Sequence, residues 1–182
     1  IEPGTAFAKA EARGLPRAVD NDKSADFFEV IMARLKSRGF NHYEVSNFAK
    51  PAHDSQHNLA YWRGYDYVGV GPGAHGRLTQ TGQKSSTIAA MTPRAYAAAV
   101  VANGIGIMDK DILSAEEWSE EYILMGLRIN EGISLSRFAE IRGNALPPRR
   151  YTPLVEEGYL HLKGDRLIAT QKGRLILNAV TD

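Results

Sequence analysis

Residues 24–46, SADFFEVIMARLKSRGFNHYEVS, set the fold class of this chain. Phe27, Ile31 and Leu35 recur at i, i+4 and i+8, which predicts a helix from about Ser24 to Arg38 with one apolar face. Gly39 stands where a helix ends most cheaply, at a left-handed position after the last turn. Phe40 to Ser46 then reads as a short strand. A helix, a Gly-Phe hinge and a strand make an αβ unit, so the expected class is α/β. In that strand Glu44 alternates with Tyr43 and Val45. If those two face the core, Glu44 faces solvent or a barrel lumen.

Outward from this unit, residues 1–20 are rich in Gly, Pro and Ala and read as loop. Glu2, beside Pro3 and Gly4, reads either as a carboxylate at a strand end or as an exposed acid. Residues 47–65 are polar and aromatic without a period and read as a connecting loop. Tyr65 to Val70 is a second strand candidate running into Gly71-Pro72-Gly73-Ala74-His75-Gly76. Residues 77–91 read as an exposed excursion. Thr92-Pro93 caps and opens a helix through Tyr96 and Val100, closed by Gly104.

Beyond residue 110 the signals become mostly helical. Ser114 and Glu117 form a capping box before a stripe of Trp118, Tyr122, Met125 and Ile129. A second helix runs from Ser134 to Arg142 and stops at Gly143. A third starts at Thr152-Pro153, where proline holds it to about a turn and a half. Tyr159–Leu162 and Leu167–Ala169 flank Lys163-Gly164-Asp165-Arg166 as a hairpin, and Thr170 caps a last helix. The outline is winged-helix-like. The division falls between Gly104 and Ser114, giving units of residues 1–108 and 109–182.

Composition narrows the function classes. The 182 residues are 43% hydrophobic and 24% charged, with a formal net charge of +1. That balance supplies no electrostatic drive toward nucleic acid or an anionic membrane. No apolar run approaches the roughly 20 residues that span a bilayer, and no basic-then-apolar leader is visible, so a cytoplasmic location is expected. The chain opens at Ile1 without Met and contains no cysteine. A domain or fragment is expected, with no thiolate for zinc or an iron–sulfur cluster.

Four of the five histidines fall between His42 and His75, among aromatics and glycines. His53, His57, Asn58, Tyr61, Trp62 and His75 form the densest cluster. Such a segment can offer an imidazole to iron and flat surfaces to a planar macrocycle. It can equally be an ordinary loop. No His-Glu-x-x-His is present, which removes the usual zinc-hydrolase pattern. Gly69-Val70-Gly71-Pro72-Gly73-Ala74 resembles a dinucleotide fingerprint only superficially, because Pro72 and a missing third glycine break it. Its alternative reading is a tight turn that lets backbone pass close to another group.

Three strings carry a family resemblance. They are Tyr43-Glu44-Val45-Ser46-Asn47-Phe48-Ala49-Lys50-Pro51, Ser55-Gln56-His57-Asn58-Leu59-Ala60-Tyr61-Trp62 and Val68 to His75. Ile1 to Thr5 and Leu154 to Val180 agree in order. The chain resembles the HemN/HemW family, the oxygen-independent coproporphyrinogen III oxidase-like radical S-adenosylmethionine (SAM) proteins. The resemblance implies the C-terminal remnant of a partial (β/α)6 barrel followed by a HemN-type accessory domain. It also implies a [4Fe–4S] cluster and SAM in a parent protein, on cysteines this chain lacks.

His57-Asn58-x-x-Tyr61 is similar to the form in the haem-chaperone branch, which binds haem and delivers it to respiratory proteins. The resemblance therefore implies His57 as a haem–iron ligand, with Asn58 and Tyr61 beside it. Gly71, Gly73 and His75 are implied near SAM or the tetrapyrrole. The competing expectation is a coproporphyrinogen III oxidase that decarboxylates two propionates. A lesser one is a winged-helix nucleic-acid module, opposed by nine Lys and Arg against ten Asp and Glu over residues 114–182. The expected partners are haem or porphyrin and haem-accepting respiratory proteins, with no nucleic acid. Strand edges left open by a truncated barrel favour a homodimer.

Overall fold

Thr5 accepts a hydrogen bond from the Ala8 amide and starts α1 (Ala6–Ala12) inside a stretch whose composition reads as loop. The structure, a computed structural model, describes residues 3–15 and 19–177. Glu2 and the end of the Leu154–Val180 string lie outside them.

Asp20 caps α2 (Asn21–Ser37) by accepting from the Lys23 amide at 2.8 Å, and Gly39 follows at φ +77°. The helix is where its period predicts, but its facing is displaced. Phe27 and Ile31 are 56% and 49% exposed, while Phe28, Met32 and Leu35 are half-buried. The side that packs is thus one residue round from the Phe27 stripe.

The expected strand shortens to β1 (Asn41–His42), antiparallel to β2 (Phe48–Ala49). The chain turns between them because the Glu44 carboxylate gathers its own neighbours, accepting from the Ser46 amide at 3.1 Å and from Asn47 Nδ2. Glu44 is fully buried and pairs with Arg128, so it faces neither solvent nor a lumen. Alternation gave the wrong facing because a turn, not a pleat, orients this side chain.

Two segments read as irregular carry regular structure. Ser55 caps α3 (Gln56–Trp62) within residues 47–65. Residues 77–91 belong to a hairpin of β3 (His75–Gln80) and β4 (Gln83–Ala89), turned by Thr81 and Gly82, both at positive φ as a type I′ turn requires. The inner face of β4 is Ser85, Thr87 and Ala89, too polar to announce burial. Tyr65 to Val70 forms only the bridge Tyr67↔Arg77 rather than a strand.

Thr92 and Gly104 bound α4 (Pro93–Asn103) as their chemistry predicts. The strand β5 (Ile107–Ile112) adds to β4, giving an antiparallel sheet in the order β3-β4-β5. Ser114 and Glu117 then form the expected capping box of α5 (Ala115–Gly126). The rest of the chain runs β6 (Ile133–Ser134), α6 (Leu135–Arg142), α7 (Thr152–Glu156), β7 (Leu160–Lys163), β8 (Arg166–Ala169) and α8 (Gln171–Leu175).

The third antiparallel sheet has the order β6-β8-β7. Tyr122, Leu127, Ile133, Phe138, Leu160 and Leu167 form the main core between this sheet and α5 and α6. A smaller core joins Tyr43, Ala49, Leu59 and Ile129, with Trp62 against it. The described residues are therefore mixed α/β with three small sheets. Among the described residues, no helix is long and apolar enough to cross a membrane.

Candidate functional site

α3 docks through Leu59, which is buried in the smaller core, and through half-buried Trp62. The Arg128 guanidinium lies over the Trp62 ring at 4.5 Å and fixes that edge. The opposite side of the helix presents His57 and Tyr61, which are neighbours because they stand four residues apart. Tyr61 Oη and His57 Nε2 are 2.7 Å apart and share one proton, donated by whichever atom carries it. Their rings meet edge to face at 4.7 Å.

Tyr67 extends this aromatic row, with its ring 4.2 Å from that of Tyr61. Burial pushes the Tyr67 hydroxyl pKa up, so it stays protonated at neutral pH. The Tyr67 backbone is held on both sides by Arg77, with N–H···O distances of 2.8 and 2.9 Å. Next in the chain, Gly69 passes so close to β3 that a Cβ would lie 2.4 Å from the His75 carbonyl oxygen. Only glycine fits there.

His57, Tyr61, Tyr67, Val68, Val70 and His75 converge on one open cleft of about 580 Å³. That volume falls within the roughly 300–1,000 Å³ usual for small-molecule sites. Val68 and Val70 are 66% and 79% exposed, which leaves an apolar ledge beside the imidazole.

The expected site residues therefore separate. The structure brings His57, Tyr61 and His75 together. Asn58, Gly71 and Gly73 do not line the cleft. The Asn58 amide donates to the Ser55 hydroxyl that caps α3, and Gly71 and Gly73 sit in the neighbouring turn at φ +106° and +68°. His53 lies away from it, and His42 lines a different cavity. Among the described residues, no three His, Asp or Glu side chains group to hold a metal ion. A metal at His57 would thus have to bring most of its own ligands, as a macrocycle does.

Sequence reading overlooked Tyr67, Val68 and Val70. The available signal was the Tyr-x-Tyr-Val-Gly-Val run, whose alternation places aromatic and aliphatic groups around an obligatory glycine. It also overlooked two anchors behind the cleft. Arg77 forms a bidentate pair with Glu121 of α5. Lys84, only 2% exposed, donates to the Gly64 carbonyl at 2.8 Å and pairs with Asp66 at 3.3 Å. Burial lowers the Lys84 pKa against the pull of Asp66.

Residues 113–176 match the HemN C-terminal domain family. Nearly the whole chain is similar to HemW proteins, and it spans somewhat under half the length of the curated relatives it matches. Among those relatives is the haem chaperone HemW of Bacillus subtilis, 32% identical over 99% of this chain and 47% of its own length. Haem chaperone HemW of Mycobacterium tuberculosis is 34% identical over 99% of this chain and 44% of its length. The solved structure of coproporphyrinogen III oxidase (HemN) from Escherichia coli, described as a radical SAM enzyme, superposes with a TM-score of 0.63. It covers 90% of this chain and 41% of the oxidase at 17% identity, a likeness of fold alone.

Proposed function

We propose that this chain is the C-terminal portion of a radical SAM haem chaperone, and that its cleft receives haem as cargo for delivery to respiratory proteins. The observation carrying this reading is the exposed His57 imidazole on a row of aromatic rings with the Val68–Val70 ledge at its side. An imidazole can ligate iron while flat and apolar surfaces cover a macrocycle face. His75 is a second imidazole in the same cleft.

The haem-chaperone names of the relatives favour this reading over the oxidase, which rests on a fold likeness. The chain itself contains no cysteine, so a [4Fe–4S] cluster and its SAM would belong to a longer parent protein. We read residues 1–108 as the end of a partial (β/α)6 barrel and 109–182 as a winged-helix-like accessory domain, with β5 carrying the chain across that division. A cytoplasmic location and a homodimer belong to the same reading. Haem titration of the chain is the test. His57→Ala should lower or reshape the Soret band, and an unchanged spectrum would remove His57 as ligand.

A further inference from the structure

Among the described residues, the Arg174 side chain of α8 has no hydrogen-bonding partner. Its Nε is buried and makes no hydrogen bond, and among the described residues no carboxylate or carbonyl accepts from its guanidinium. Arg174 is half-buried, and leaving its Nε–H without an acceptor away from water is costly. The surrounding charges do not relieve it. Glu44 exerts a distant attraction but is committed to Arg128. Burial accordingly lowers the Arg174 pKa.

Arg174 lines a chamber of about 240 Å³ together with Phe28, Met32, His42, Asn130 and Gln171. Those five also line a larger cavity of about 710 Å³, so the small chamber is its inner end. Phe40, Phe48 and Leu175 supply the apolar surface of the outer wall. His42 stacks on Phe48 at 4.6 Å and meets Phe28 edge-on, and its Nε2 donates to the Val45 carbonyl, so this wall is fixed. Asn130 is likewise spent on the His42 carbonyl at 2.7 Å. Arg174 is the cationic group left free at the inner end.

We propose that this cavity is a second binding site, distinct from the His57 cleft, for a small amphipathic carboxylate. The carboxylate sits on Arg174 and the apolar body lies against Phe28, Phe40 and Phe48. Glu29, Asp54 and Lys36 line the outer part of the cavity, where two carboxylates against one ammonium disfavour a ligand carboxylate relative to the Arg174 end. The inference does not depend on haem.

Octanoate is a suitable probe, with octanol and octylammonium as matched controls. Calorimetry of the full chain should show saturable octanoate binding and none at similar concentration for octylammonium. Arg174→Gln should weaken octanoate about ten- to a hundredfold, the worth of one charge-assisted contact. Arg174→Lys should weaken it less, because a point charge replaces a fork. Should Arg174→Gln fail to fold, the wild-type chain still decides. The Arg174 side-chain Nε resonance must shift on adding octanoate and stay still on adding octanol. Octanol binding as tightly as octanoate, an unmoved Arg174 resonance, or equal affinity in the Lys and Gln variants would each overturn the proposal.

Discussion

Arg77 and Glu121, 44 positions apart, are joined by a bidentate ion pair in which Nε and Nη2 approach the carboxylate at 2.9–3.1 Å. The pair fastens β3 to α5, and the Arg77 backbone holds Tyr67 at the wall of the His57 cleft. The family-matched C-terminal segment thereby holds the Tyr67 side of the cleft, as Arg128 and Ile129 hold the α3 side through Trp62 and Leu59. With both partners about four-fifths shielded, the pair sits between a surface bridge and a buried one. Arg77→Met and Glu121→Gln should each cost about 1–3 kcal/mol in urea denaturation. The Arg77→Met/Glu121→Gln double variant should cost less than their sum, because the second change removes a partner already orphaned. Additive costs would show that the pair is not coupled.

Glu44 makes stability acid-sensitive. Burial acts to raise its pKa, but hydrogen bonds from Asn47, Ser46 and Arg128 outweigh it and hold the carboxyl below its usual value of 4.5. A depressed folded pKa contributes stability above the unfolded value and loses it as pH falls through the folded one. The wild-type chain should therefore lose stability steadily below about pH 4.5. Glu44→Gln should be about 2–3 kcal/mol less stable at pH 7, with a shallower loss toward acid. Parallel pH profiles for the two chains would contradict this.

Helix ends were legible because caps are local chemistry. Asp20 lies just outside the predicted start of α2, while Thr92, Ser114, Gly104 and Gly143 fall where donor and acceptor arithmetic puts them. The β3–β4 hairpin was not legible, since its buried positions are Lys84, Ser85 and Thr87 rather than an aliphatic row. What makes those positions core is the later chain: α5 supplies Glu121 for Arg77 and Trp118 beneath Lys84. Of the site, His57 and Tyr61 were visible through the His-rich cluster and the His-Asn-x-x-Tyr string, but not as a helical pair, because residues 47–65 carry no apolar period. Tyr67 became part of it only through the non-local bridge to Arg77.

Lys84 should titrate anomalously. Its folded pKa lies below the ordinary 10.5 through burial, although Asp66 and Glu121 oppose the shift and Arg137 reinforces it. The unfolded chain then binds more protons than the folded one between the two values, so stability rises with pH as 10.5 is approached. Lys84→Met should remove that rise. Replacing a buried charge by an apolar side chain of similar volume should change neutral-pH stability by only about 1 kcal/mol. Persistence of the alkaline rise in Lys84→Met would assign it to another group.

Gly69 and its neighbours separate architecture from binding. Gly69→Ala drives a Cβ against the His75 carbonyl, where backbone must move, and should cost about 1–3 kcal/mol. Val68→Ala and Val70→Ala remove exposed groups and should stay within about 0.5 kcal/mol of the wild type. On the haem reading they nevertheless weaken binding, since the ledge is lost. Thermal unfolding paired with haem titration distinguishes the two effects. A stable Gly69→Ala chain would mean that β3 is not locked against this turn.

Tyr61 competes for the nitrogen that iron would take. Its hydroxyl lies 2.7 Å from His57 Nε2, so ligation through that atom must first break the contact. A hydrogen bond between neutral groups is worth about 0.5–1.5 kcal/mol net, or roughly two- to twelvefold in affinity. Tyr61→Phe keeps the ring against Tyr67 but frees Nε2. If His57 is the ligand, Tyr61→Phe should bind haem tighter by that factor, with the Soret band in its wild-type position. His57→Ala/Tyr61→Phe should then bind no better than His57→Ala alone. A gain that survives loss of His57 would place the iron elsewhere in the cleft, with His75 the remaining imidazole.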